Sequence, residues 1–259
     1  MGLGKRRKRQ RTLDLAVAAL QRRYGPRAVI KGEAATGEDA IPHIPTGFPA
    51  LDRTLAIGGL PRGQVCELAG PATSGKTTLA LKFLVQAQAG GAAEGHVAYV
   101  DQALYFDPDY AYRCGVDLSR LLVGAPRDLA EALAATEALA RSGGLAALIL
   151  DTLEFLWTDL AAASQLAATL SHLPPALARS GTVLLVLHES PGGSDSALSA
   201  LAHTAAVRLQ VTRERWLHRG SDVRGYEARV EVLKNRFGPT GRTARVTIEF
   251  NGTVRGNGL

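Results

Sequence analysis

The eight residues Gly70-Pro-Ala-Thr-Ser-Gly-Lys-Thr77 carry the most specific chemistry in this chain. A glycine, four variable positions and then Gly-Lys-Thr is the P-loop pattern, and each position answers a demand made by a triphosphate. Gly70 and Gly75 let the backbone curl so that successive N–H groups converge on an anion at a helix N-terminus. Lys76 supplies a mobile cation for the outer phosphates. Thr77 offers its hydroxyl to Mg²⁺, a hard ion that keeps most of its water and takes one or two protein oxygens. The expected cradle comprises Gly70, Pro71, Ala72, Thr73, Ser74, Gly75, Lys76, Thr77 and Thr78, which makes this a nucleotide-binding protein.

Such a site also needs an acid to hold the water shell of the metal. Ala146-Ala-Leu-Ile-Leu-Asp151 is an apolar strand that ends in one. A carboxylate after a buried strand is common in any loop, but Asp151 gains force from its pairing with the P-loop upstream. Thr77 and Asp151 are therefore the expected metal residues.

These groups require a particular set of elements around them. Residues 64–69 read as a strand leading into the loop, and residues 77–88 as an amphipathic helix leading out. From residue 43 onward short apolar strands at 64–69, 96–101, 146–151 and 182–188 alternate with helices at 76–89, 109–115, 129–141 and 160–179. That alternation predicts an α/β fold with a mostly parallel sheet covered on both faces. After residue 200 the segments 207–211, 226–234 and 244–250 alternate with period two, as antiparallel strands do. Ahead of this core, 43–259, lie a helix at 12–24 with Leu13, Val17, Leu20 and Tyr24 on one stripe, a possible strand at 27–30 and a linker at 31–42. A helix and strand of that size cannot bury their apolar faces alone, so they are expected to dock on this subunit or a neighbour.

The 259 residues are 46% hydrophobic, enough for one substantial core. The net charge of +6 is unevenly placed. Lys5, Arg6, Arg7, Lys8, Arg9 and Arg11 fall within residues 1–11 without an acid, so the other 24 basic residues balance the 24 acids. Such a block is expected to be a disordered, mobile arm, serving either the phosphate backbone of a nucleic acid or only solubility. There is no apolar run of membrane-spanning length and no signal-peptide core, so the expected location is cytoplasmic with no membrane partner. Cys66 and Cys114 read as reduced structural thiols.

Six segments carry a family resemblance in their order along the chain. They are Ile44-Pro-Thr-Gly-Phe-Pro-Ala-Leu-Asp52, Gly58-Gly-Leu-Pro-Arg-Gly63, Gly70 to Thr78, Asp107-Pro-Asp-Tyr-Ala111, Gly115-Val-Asp117 and Val232-Leu-Lys-Asn-Arg236. Together they resemble bacterial RecA recombinase from about residue 12 to residue 250. The resemblance implies a RecA-like P-loop ATPase core that binds ATP and Mg²⁺. It implies that Asp107 and Tyr110 contact and stack on the adenine, an aromatic face being suited to a flat base. It also implies that Lys234 and Arg236 reach the γ-phosphate held by a neighbouring subunit, acting like arginine fingers. Read as residues alone, the same two cations are equally solvent-facing charges on an exposed strand. Residues 12–30 match the helix and strand that dock on the next protomer, which implies head-to-tail self-association.

Three departures separate this chain from that family. The family's water-orienting Glu, two residues after the acid that ends strand 96–101, is Ala103 here, and a methyl group accepts no proton. Gln102 could orient a water instead, although on an extended strand end it points to the opposite side from its neighbour. The Asn-Gln pair that senses the γ-phosphate is His188-Glu189, where a carboxylate faces a triphosphate unless a cation intervenes; Glu189 could also serve as a displaced base. The segments after Asp151 and Glu189 are shorter than the family's DNA-binding loops, leaving Trp157 as a base-stacking candidate or a core residue. The chain is also expected to lack the family's C-terminal domain.

The leading expectation is a RecA-like ATP-binding protein of DNA repair and homologous recombination that binds single-stranded DNA and hydrolyses ATP weakly or not at all. The alternative is a non-catalytic accessory protein that modulates filaments of another recombinase or serves a translesion polymerase complex. A third reading is full recombinase activity with a relocated base. Lys76, Gln102, Glu189, Lys234 and Arg236 are the candidate catalytic residues.

Overall fold

The computed structural model describes residues 3–25, 29, 41–90, 95–151, 160–189, 199–249 and 254–255. It divides into two compact units, Met1–Ala40 and Ile41–Leu259.

In the first unit the principal element is helix α1 (Leu3–Tyr24). The six cations, expected on an arm ahead of a helix beginning at Thr12, lie within this helix instead. Lys and Arg are strong helix formers, which favours continuation through the charged run. Thr12 does not cap the helix; its hydroxyl donates to the Lys8 carbonyl one turn back, at 3.0 Å. Leu13, Leu20 and Tyr24 are exposed along α1. Gln21 Nε2 donates to the Val29 carbonyl at 2.7 Å; the rest of the possible strand 27–30 and most of the linker lie outside the described residues.

The second unit begins with β1 (His43–Ile44), α2 (Pro49–Thr54) and β2 (Leu60–Pro61), β1 and β2 pairing antiparallel. Two segments that carried the family resemblance have structural reasons here. Asp52 Oδ1 accepts from the N–H and the hydroxyl of Thr46, at 2.8 and 2.7 Å, closing the turn onto α2. Gly59 passes so close to β1 that a Cβ there would meet the Ile44 carbonyl oxygen at 2.1 Å.

The chain then alternates: β3 (Val65–Gly70), α3 (Lys76–Ala89), β4 (Val97–Asp101), α4 (Pro108–Arg113), β5 (Leu121–Gly124), α5 (Leu129–Ser142), β6 (Ala147–Asp151), α6 (Leu160–Ser180), β7 (Val183–Glu189) and α7 (Ser199–Thr204). It closes with β8 (Val207–Arg219), β9 (Asp222–Asn235), β10 (Thr243–Glu249) and β11 (Val254–Arg255). Among the described residues one sheet has the order β11-β10-β9-β8-β3-β7-β6-β4-β5. The pairings from β8 to β5 are parallel, and those from β8 to β11 antiparallel. This is the α/β class the alternation predicts.

The strands are apolar on both sides because both faces are covered. Successive residues divide between two layers. Cys66, Leu68, Val97, Tyr99, Ile149, Leu185 and Leu187 join the layer with α3 and the C-terminal strands. Val65, Ala98, Val100, Leu148, Leu150, Leu184 and Val186 join the layer under α5 and α6. Cys66 and Cys114 are both free and buried. The edge strand β5 was not expected: Leu122 and Val123 remain about half exposed, so its sequence lacks a core strand's signature. No described helix is long and apolar enough to cross a membrane.

Candidate functional site

All six residues of β3 are buried, so the loop that follows starts from a fixed point in the middle of the sheet. A Cβ at Gly70 would lie 2.5 Å from the Val211 carbonyl oxygen. Gly75 precedes α3 at φ +103°, where a Cβ would meet Ile248 Cδ1 at 2.5 Å and Tyr226 Oη at 2.8 Å. Only glycine fits at either place. Lys76 is almost buried, and its ammonium donates to the carbonyls of Gly70 and Pro71, each at 2.9 Å. Ser74 Oγ is buried without a hydrogen-bond partner among the described residues. A glycine-bounded turn at a helix N-terminus, an enclosed lysine and an orphaned hydroxyl suit an anion of several oxygens. A triphosphate fits these residues.

The second half of the site comes from the neighbouring strand ends. Asp101 and Asp151 are paired in the register of β4 and β6, and the Gln102 N–H donates to the Asp151 carbonyl at 2.6 Å. The buried Tyr99 hydroxyl donates to Asp151 Oδ2 and is also hydrogen-bonded to Thr77. One phenol thus ties the two expected metal residues together. Burial, followed by the Asp151 charge, pushes its pKa well above the usual tyrosine value, so it remains a donor. Thr77 and Asp151 are the residues that would hold Mg²⁺, which would supply positive charge to neutralise the phosphates. Asp101 turns to another task, its Oδ2 accepting the Phe106 N–H at 2.6 Å. Gln102 Oε1 is buried with no hydrogen-bond partner among the described residues, and the methyl side chain of Ala103 beside it offers no polar atom.

On the expected adenine side, Asp107 caps α4: its Oδ1 accepts the N–H groups of Asp109 at 2.9 Å and Tyr110 at 3.0 Å. The Tyr110 hydroxyl is 2.6 Å from Thr78 Oγ1, so the ring stands against the first turn of α3. Burial raises the Tyr110 pKa, and the Arg113 guanidinium lies 5.9 Å from its ring centroid.

Glu189 ends β7 beside Gly70 in the β3–β7 register, which brings this residue to the start of the loop. Lys234 and Arg236 lie elsewhere. β8 runs parallel to β3, and Arg208 near its start pairs with Lys234, so the β9 end lies toward the opposite end of the sheet from Gly70. Lys234 Nζ donates to the Ala202 and His203 carbonyls at 2.7 and 2.8 Å, and Arg236 Nη2 to His203 at 3.1 Å. Both cap the C-terminus of α7. Burial, with Arg236 and Arg208 nearby, holds the Lys234 pKa below its usual value. Trp157 and the two expected DNA loops fall outside the described residues.

Two constellations escaped the sequence reading. Behind the loop, Arg208 donates to Glu67 at 2.6 and 3.0 Å, and His188 Nε2 lies 3.0 Å from Glu67 Oε1. His188 Nδ1 is 2.9 Å from the Glu189 carbonyl, so both ring nitrogens face oxygen atoms. Burial opposes the Glu67 charge, but hydrogen bonds from His188 and Arg208 outweigh it and hold the carboxyl below its usual range. A lone acid within apolar Val65-Cys-Glu-Leu-Ala69 was the available signal. The other constellation is Arg213, Trp216 and Tyr226, which with Thr73 to Thr78 line an open pocket of about 410 Å³.

A phosphate cradle between β3 and α3, a carboxylate ending β6 and a central parallel sheet define a P-loop nucleotide-binding protein of the α/β class. The family described as the RecA N-terminal domain matches residues 11–168. Protein RecA of Rhodococcus jostii is 37% identical over 264 residues, covering 93% of this chain and 75% of that protein. Protein RecA of Frankia casuarinae is 35% identical over 274 residues (96% and 77%), and that of Bacillus velezensis 32% over 268 (93% and 75%). The chain belongs to the RecA family, ATP-binding proteins of DNA recombination and repair.

Proposed function

We propose that this protein binds ATP with Mg²⁺ at residues 70–78, engages single-stranded DNA, and turns ATP over slowly. The observation that carries this reading is the pairing of an intact phosphate cradle with Ala103 at the place of the family's base. Lys76 would leave the Gly70 and Pro71 carbonyls for the outer phosphates, Thr77 and Asp151 would hold the metal, and Tyr110 would face the adenine with Asp107 fixing its helix. The buried Gln102 amide oxygen, one residue before Ala103, is a candidate acceptor for a water. An amide orients water but does not take its proton, which supports slow turnover.

Lys234 and Arg236 are proposed to act on a neighbour's nucleotide, because within their own subunit they cap α7 away from the loop. The exposed Leu13, Leu20 and Tyr24 stripe on α1 supports head-to-tail docking, and the cations of the same helix support contact with DNA phosphates. The accessory reading draws on Glu189: a carboxylate beside Gly70 disfavours the family's γ-phosphate sensing.

Calorimetric titration of ATP with and without Mg²⁺, on the native chain and Lys76→Ala, tests the core of this proposal. Binding that needs Lys76 and tightens with Mg²⁺ supports it. Binding indifferent to both overturns it.

A further inference from the structure

We propose that Arg213 is a phosphate-reading guanidinium, contributed by the subunit's own sheet extension to the rim of the loop pocket and aimed by Trp216 and Tyr226 at the polyphosphate of a bound nucleotide. This rests on the reading of residues 70–78 as a phosphate cradle. The side chains of the cation pair implied by the family resemblance, Lys234 and Arg236, hydrogen-bond to the C-terminus of α7, whereas that of Arg213, on β8, reaches Thr73 of the loop.

Three observations carry the assignment. The guanidinium centre lies 4.3 Å from the Trp216 ring centroid and 5.9 Å from that of Tyr226, and the two rings meet edge to face at 5.7 Å. Stacking on an aromatic face fixes the guanidinium plane while leaving its N–H edges available, the geometry suited to forked hydrogen bonds with phosphate oxygens. The backbone has been altered to allow this. On a regular strand residues 213 and 216 would point to opposite faces, but the β8–β9 register shifts between Arg213 and Arg215, and one extra residue brings both side chains to the same side. The direction of aim is also fixed. Arg213 Nη1 donates to Thr73 Oγ1 at 3.2 Å, Thr73 sits at φ +58° on the loop, and all three side chains line the same pocket as Thr73 to Thr78.

The chemistry recognised is a chain of phosphates rather than a base, because Arg213 already covers the Trp216 face and presents N–H donors. Loss of a charge-assisted hydrogen bond of this kind is expected to weaken binding about tenfold.

The test uses the full chain with Mg²⁺, ATP and base-free tripolyphosphate as probes, and follows Trp216 emission in a Trp157→Phe background. Arg213→Ala should weaken ATP and tripolyphosphate alike by about tenfold, while Arg213→Lys, which keeps the charge but not the fork, should recover part of the loss. Tripolyphosphate should change Trp216 emission in the Trp157→Phe chain. A loss for ATP but not tripolyphosphate means the cluster reads the base and overturns the proposal. So does a silent Trp216, and so does an effect confined to single-stranded DNA. If Lys76→Ala abolishes binding while Arg213→Ala changes nothing, this inference alone fails. If neither matters, the phosphate cradle fails with it.

Discussion

The parallel strands β3, β4, β6 and β7 and the antiparallel hairpin β8–β9 contribute to one site by different means. Each parallel strand brings its residues at its exit end: Gly70, Gln102, Asp151 and Glu189 all stand where a strand stops. The hairpin brings its residues along its length, through the register that places Trp216 opposite Tyr226 and the bulge that turns Arg213 toward Thr73. Chemistry at strand ends depends on where an apolar run stops, which is a local property of sequence. Chemistry along a hairpin depends on pairing between residues far apart, and one inserted residue changes which face they share.

The largest effect is expected at the loop. Lys76→Ala is expected to weaken ATP binding at least a hundredfold, about 3 kcal/mol for a buried charge-assisted contact, as read by calorimetry. A comparable loss in Arg213→Ala would make the hairpin an equal partner rather than a rim.

Next comes the polar centre of the parallel half. Glu67→Gln removes the charge that Arg208 and His188 share, and is expected to lower stability by about 3 kcal/mol in denaturant unfolding. The sign with pH follows from the depressed Glu67 pKa. Its stabilisation is fully present above the ordinary carboxylate range and is lost as pH falls through the depressed value. The gap between native protein and Glu67→Gln should therefore be full at neutral pH and close on acidification.

Tyr99→Phe leaves Asp151 without its phenolic donor and is expected to cost about 1 to 2 kcal/mol, with an unchanged denaturant slope. Trp216→Ala, by contrast, should lower stability by less than about 1 kcal/mol, since its stack with Arg213 is largely exposed. A larger loss there would mean that the hairpin cluster holds the fold rather than the ligand.

The same contrast explains what the sequence disclosed. The phosphate loop, its strand and its helix were legible because glycine spacing, an apolar run and a helical stripe are each local. The four central strands and the helices 76–89, 129–141 and 160–179 fell close to their observed bounds for the same reason. Tyr99 was hidden because a tyrosine in an apolar strand reads as core, which it also is. Glu67 was visible but had no partner until β3 lay between β7 and β8. Helix α1 extends back through the cations because helix propensity outlasts like-charge repulsion on its surface. The hydrogen bonds of Lys234 and Arg236 to the end of α7 could not be read from a motif that describes only their spacing.

The measurement that bears most directly on a RecA-family site with an intact cradle and a missing base is ATP turnover, with and without single-stranded DNA, in the native chain beside Ala103→Glu. Slow native turnover and a clear rise when the carboxylate is supplied are expected. Fast, DNA-stimulated turnover in the native chain that Ala103→Glu leaves unchanged would contradict that expectation.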